Sequence, residues 1–108
     1  MSRFDFQDKI ILVTGGAGGI GSALCRRFAA QGARCIVVGR NEVGAAKLAA
    51  DLPGTGHIAI GCDLTDRSQV EHLFEQVADR YGRLDVLVNN AGMTSSERFD
   101  VRSVESIE

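Results

Sequence analysis

The stretch Val13-Thr14-Gly15-Gly16-Ala17-Gly18-Gly19-Ile20-Gly21 places five glycines in seven residues directly after an apolar run. Backbone without Cβ atoms lets a phosphate approach its N–H groups closely, so the chemistry to consider first is nucleotide binding. Gly16, Gly18 and Gly21 form G-x-G-x-x-G, the general dinucleotide fingerprint. Two other patterns overlap it. Thr14, Gly15, Gly19 and Gly21 form T-G-x-x-x-G-x-G, and Thr14, Gly15, Gly18 and Gly21 form T-G-x-x-G-x-x-G. A Walker loop is excluded, because Ser22 follows Gly21 where a lysine would have to reach the phosphates. The glycines alone do not choose among the remaining patterns.

Two further positions carry chemistry. The segment "VVGRN" ends with Gly39, Arg40 and Asn41, about 20 residues after the glycines. A carboxylate there would hold a ribose 2′-hydroxyl, whereas a guanidinium pairs two-pronged with a 2′-phosphate. Arg40 therefore favours NADP(H) over NAD(H), with Glu42 as a nearby competing carboxylate and Gly18 supplying no second cation. In "CDLTD", Asp63 with Leu64 falls at the next such edge, where a carboxylate can accept from an adenine amino group. The other reading is that Asp63 or Thr65 caps the following helix.

Other chemistries find little support. Cys25, Cys35 and Cys62 lie inside apolar-periodic segments at spacings that match neither a zinc site nor a C-x-x-C pair, and are expected to be reduced packing residues. His57 and His72 have no second ligand at i+3 or i+4, so no metal site is expected. Net charge is −2 with 12 scattered basic residues, which gives nucleic acid and membrane surfaces no electrostatic footprint. The start "MSRFDFQDKI" lacks a signal-peptide pattern and no segment has 18 uninterrupted apolar residues. The expected location is cytoplasmic.

These residues must be positioned by alternating β and α segments. "KIILVT" (Lys9 to Thr14) reads as a strand buried on both faces. Ile20, Leu24 and Phe28 then fall at i, i+4 and i+8, and Gly32 stands at the stop. Ala33 to Val38 is a second strand. Asn41 can cap a helix that runs to Asp51, with Val43, Ala46 and Leu48 available for packing. His57 to Cys62 is a third strand. Thr65 or Asp66 opens a helix whose stripe is Val70, Leu73, Phe74, Val77 and Tyr81, stopped by Gly82. Leu84 to Val88 is a fourth strand, and another helix is expected from about Ser103. The expected fold is a Rossmann-like doubly wound parallel sheet in three α/β/α layers, of strand order 3-2-1-4, with the glycine loop at the carboxyl edge.

"TGGAGGIG", "CDLTD" and "LDVLVNNAG", in this order and spacing, resemble the first half of a short-chain dehydrogenase/reductase. "NNAG" selects the T-G-x-x-x-G-x-G reading and the single-domain branch. The resemblance implies hydride transfer between a nicotinamide and a carbonyl or alcohol. It implies cofactor contacts at Gly15, Gly19, Ile20, Gly21, Asp63, Asn90, Ala91 and Gly92, with Asn89 steadying the sheet; Ala17, Gly18, Arg40 and Leu64 complete the expected cofactor-binding set. The family's catalytic tyrosine has a lysine four residues later. Here Asp85 follows the only tyrosine, Tyr81, by four, and both lysines, Lys9 and Lys47, lie upstream. No catalytic residue is assigned. Residues 1–108 are thus expected to be one NAD(P)-binding domain cut short at its C-terminal end, inactive alone, whose longer form would be a homo-oligomer. The competing expectation is a non-catalytic dinucleotide-binding module, or a subunit completed by another chain.

Overall fold

The computed structural model describes residues 6–90. In chain order the elements are β1 (Ile10–Thr14), α1 (Gly19–Ala30), β2 (Arg34–Gly39), α2 (Glu42–Asp51), β3 (Ile58–Gly61), α3 (Arg67–Tyr81) and β4 (Val86–Asn89). The four strands form one parallel sheet of order β3-β2-β1-β4. Every residue of β1 is buried, as its uninterrupted apolar sequence requires.

Alternate residues of the strands feed two separate cores. Ile11, Val13, Cys35 and Val37 pack with Cys25 and Ala29 of α1 and Ala45 and Leu48 of α2. Ile10, Leu12, Ile36 and Val38 pack on the other face with Leu73 and Val77 of α3. The layers are therefore α1 and α2 on one face and α3 on the other. Cys25, Cys35 and Cys62 are buried free thiols, in line with the packing role expected of them.

Two helix faces differ from the sequence expectation. In α1 the buried residues are Gly21, Cys25 and Ala29, one step on from the stripe Ile20, Leu24 and Phe28, and Ile20 is 62% exposed. Leu24 and Phe28 of that stripe are half-buried against the same core, and at Gly21 nothing larger fits, because a Cβ there would strike Gly15 O. In α2, Ala45 and Leu48 are buried, whereas Val43 is 71% exposed and Ala46 is also exposed.

Caps explain where the helices begin. Asn41 Oδ1 accepts from Gly44 N at 3.1 Å to open α2. Asp66, rather than Asp63 or Thr65, caps α3, accepting from Ser68 N at 3.0 Å and Gln69 N at 3.4 Å. Gly82, at φ 75°, closes α3 in the left-handed conformation. His57 acts as a connector: Cys35 N donates to its Nδ1 at 3.0 Å, leaving Nε2 to donate to Pro53 O at 2.7 Å.

β4 starts two residues later than its apolar pattern suggests, because Asp85 is occupied with the start of β1. Ile10 N donates to Asp85 Oδ2 at 2.8 Å, and Arg83 Nε donates to the same oxygen at 3.0 Å. Partial burial pushes this carboxyl up, but the Ile10 N–H and the Arg83 guanidinium outweigh it and hold it below the ordinary range. A depressed folded-state pKa contributes stability in full above the unfolded value, about 3.9, and loses it as pH falls through the folded value. Asp85→Asn should therefore flatten the fall of the urea midpoint below about pH 4. A variant curve parallel to that of the parent would show that Asp85 contributes nothing to acid sensitivity.

Candidate cofactor-binding site

The site is built where β1, β2 and β3 end together. Thr14 lies opposite Val38 and Asn89, and Gly39 opposite Gly61, so the register brings these ends to one edge of the sheet. The chain leaves β1 through Gly15, at φ 65°, and turns back with Gly18 N donating to Gly15 O at 3.1 Å. Gly16 N donates to Val38 O at 3.1 Å and fastens the loop to β2. On the other side, Thr14 Oγ1 donates to Asn89 Oδ1 at 3.1 Å and accepts from Asn90 N at 2.8 Å. Asn90 Nδ2 reaches Gly15 O at 3.3 Å. Thr14 and Asn89 thus join the ends of β1 and β4, and Asn90, just after β4, reaches the loop.

The glycines separate into two kinds. A Cβ on Gly21 would strike Gly15 O and come within 2.7 Å of Gly16 Cα, and one on Gly16 would come within 2.7 Å of Val37 Cγ1. Those two are required by packing. A Cβ on Gly19 would meet nothing within 4 Å, and one on Gly18 only Gly15 O at 3.5 Å. Packing does not require glycine at 18 or 19, so their bareness leaves open space at the N-terminus of α1. That terminus is capped by Gly18 without any side-chain hydrogen bond and has no acidic residue in its first turn. Free N–H groups and the positive end of the helix dipole make it suited to an anion such as a pyrophosphate.

Beside the loop, Gly15, Gly39, Arg40, Cys62, Asp63, Leu64 and Thr65 line a cleft of about 610 Å³. Asp63 Oδ1 accepts from Thr65 Oγ1 at 2.7 Å, from Thr65 N at 3.0 Å and from Arg40 Nη2 at 3.4 Å. The Thr65 hydroxyl and then its N–H, aided by the Arg40 charge, hold the Asp63 carboxyl below the usual range, so it is ionised at neutral pH. Among the described residues its Oδ2 takes no hydrogen bond and can accept from a ligand. Glu42 lies over β3: a Cβ at Gly61 would come within 3.0 Å of Glu42 Cβ and 3.5 Å of its Cδ.

Of the expected residues, Gly15, Arg40, Asp63 and Leu64 meet in this cleft, and Asn90 joins them through Gly15. Gly18, Gly19, Ile20 and Gly21 form the adjoining start of α1. Ala17 sits apart, its Cβ 3.7 Å from a Cβ placed on Gly44, and lines a groove between α1 and α2 of about 650 Å³. That groove lies off the strand ends and is spanned by the Arg26–Asp51 ion pair at 2.9 Å. Ala91, Gly92 and the helix expected near Ser103 fall outside the described residues. Gly39, Cys62 and Thr65 also line the cleft, although no cofactor contact is expected of them from the sequence; their place at or just beyond the ends of β2 and β3 is the available signal. Tyr81 Oη donates to Gly56 O at 2.7 Å, and partial burial raises its pKa, so it serves α3 packing.

A parallel sheet ordered β3-β2-β1-β4, with a glycine loop and a helix N-terminus at the carboxyl end of β1, defines the Rossmann-type doubly wound class. The family model described as short chain dehydrogenase matches residues 9–108, and the chain belongs to that family of oxidoreductases, built on an NAD(P)-binding fold. It is 46% identical over 105 residues to the oxidoreductase YuxG of Bacillus subtilis, covering 94% of this chain and 15% of that protein. It is 43% identical over 111 residues to a 3beta-hydroxysteroid dehydrogenase of Mediterraneibacter gnavus, covering 100% of this chain and 38% of the relative. Among solved structures, a 3-ketoacyl-(acyl-carrier-protein) reductase from Brucella melitensis, complexed with NADH, superposes with a TM-score of 0.72 at 29% identity, covering 76% of this chain and 33% of the reductase. The chain therefore spans well under half the length of these relatives.

Proposed function

We propose that this chain is the NADP(H)-binding part of an oxidoreductase that moves hydride between nicotinamide and a carbonyl or alcohol substrate. The observation that carries the cofactor choice is the tip of β2. Arg40 stands there with its side chain 74% exposed, beside the cleft, while the nearby carboxylate of Glu42 lies over Gly61. In this reading the N–H groups at the start of α1, bared by Gly18 and Gly19, take the pyrophosphate. Gly15, Gly21 and Asn90 hold the loop in shape, with Ala17 and Ile20 at its margins. Asp63 accepts from the adenine amino group, Leu64 covers the base and Arg40 pairs with the 2′-phosphate. Ala91 and Gly92 continue the cofactor wall by family resemblance. The nicotinamide supplies or takes up the hydride, and the protein's task in this segment is to bind and orient it.

The alcohol or ketone as substrate class is supported by the hydroxysteroid dehydrogenase and ketoacyl reductase named above. Residues 1–108 then belong to a single NAD(P)-binding domain of a longer protein, working as a homo-oligomer in the cytoplasm, where its three thiols stay reduced. Among the described residues, no helix is long and apolar enough to cross a membrane. A second reading, a dinucleotide-binding module completed by another chain, is favoured by one fact: the only tyrosine is committed to Gly56 O and has no lysine four residues on.

Titration of the 108-residue chain with NADPH and NADH, followed by nicotinamide fluorescence, tests the cofactor reading. Tighter binding of NADPH is expected, and equal or reversed affinities would overturn it. The same sample mixed with a secondary alcohol and NADP⁺ is expected to produce no NADPH absorbance. Turnover there would mean that proton-transfer chemistry exists within these residues after all.

A further inference from the structure

Arg40 and Asp63, which the cofactor reading gives separate tasks, touch each other. Arg40 Nη2 lies 3.4 Å from Asp63 Oδ1, across the ends of two neighbouring strands and 23 positions apart in sequence. Asp63 is itself held on several sides. Thr65 donates to its Oδ1 twice, and its own N–H donates to Gln69 Oε1 at 2.8 Å. Gln69 Nε2 in turn donates to Asp66 Oδ2 at 3.2 Å, on the residue that caps α3. The first turn of α3 therefore fixes where this carboxylate stands. Arg40, by contrast, follows Gly39, around which a Cβ would find nothing within 4 Å, and its side chain is largely exposed. Among the described residues Asp63 is the one polar side chain that holds it.

We infer that Asp63 is a positioning residue for Arg40, so that selection of a 2′-phosphate is set at the tip of β3 as well as at the tip of β2. This rests on the NADP(H) reading given above. The contact uses one guanidinium nitrogen and leaves the remaining donors of the fork for a phosphate. It also reduces the rotamer freedom that a long exposed side chain would otherwise lose on binding. Asp63 contributes the same adenine contact to NADH and NADPH, because the two cofactors differ only at the 2′ position. The ratio of their affinities therefore isolates its effect on Arg40 from its contact with the base and from any damage to the fold.

The experiment measures dissociation constants of NADPH and NADH for the parent chain, Asp63→Ala, Asp63→Asn, Arg40→Ala and the Arg40→Ala/Asp63→Ala double variant. Asp63→Ala is expected to lower the NADPH preference by up to about 5-fold, the range open to an exposed ion pair. Asp63→Asn keeps an Oδ1 acceptor and should retain part of the preference. In the Arg40→Ala background, the Asp63 substitution should leave the ratio unmoved. Equal weakening of both cofactors by Asp63→Ala would leave Asp63 as an adenine contact and overturn the inference. A higher NADPH preference would overturn it too, by showing that the carboxylate opposes the phosphate. A ratio insensitive to Arg40→Ala would instead overturn the cofactor reading beneath it.

Discussion

Gly21→Ala is expected to lower the unfolding free energy by about 1–3 kcal/mol and to raise the NADPH dissociation constant more than tenfold, about 1.4 kcal/mol. The added methyl would strike Gly15 O and come within 2.7 Å of Gly16 Cα, both backbone, so no flexible side chain can swing away. Either α1 moves off the sheet or the loop moves off α1. The first opens the packing of Cys25 and Ala29, and the second displaces the N–H groups at the helix start. Gly19→Ala is the matched control. It meets nothing within 4 Å, and a Gly→Ala change at a compatible backbone stabilises by about 0.4–1 kcal/mol. Its NADPH affinity should nevertheless fall, because the methyl occupies the space kept for the phosphate. Urea titration beside cofactor titration checks both variants. If Gly21→Ala binds NADPH as the parent does, the close approach of helix and loop has no part in the site. If Gly19→Ala does, the open space at the start of α1 is not where the pyrophosphate lies.

Arg40→Asp should reverse the cofactor preference with little change in stability. An exposed residue at a strand tip contributes within about 0.5 kcal/mol to folding, so thermal unfolding should barely move. Hydrogen bonds to a charged group are worth about 1.5–3 kcal/mol, so losing the 2′-phosphate contact should weaken NADPH by about 10- to 150-fold. The new carboxylate adds repulsion for the 2′-phosphate and an acceptor for the 2′-hydroxyl, so NADH affinity should rise. It also places a second carboxylate beside Asp63, which makes the substitution more disruptive to NADPH than removal of Arg40 alone. An unchanged NADPH-to-NADH ratio would show that discrimination resides elsewhere.

Local pattern carried most of the architecture. A strand buried on both faces and an α3 stripe that recurs every three or four residues are short-range signals, and each appears close to its expected bounds. Strand order followed from connection rules and the position of the glycine loop. The glycine motif likewise announced a loop that needs bare backbone. Tertiary structure decided which glycines serve packing and which leave space. Gly21 and Gly16 face neighbours brought in by the turn, whereas Gly19 faces solvent, and an identical residue type cannot show this in sequence. It also turned the buried face of α1 by one residue, because the surface available to that helix is fixed by the sheet. Asp66 became the cap of α3 and left Asp63 available to the cleft, a choice made by which carboxylate stood at hydrogen-bonding distance from the first free N–H groups. The meeting of Arg40 with Asp63, and the placing of Glu42 over Gly61, depend on the register of β2 against β3. Periodicity and capping are encoded within about four residues, whereas that register is set by how whole strands bury their side chains.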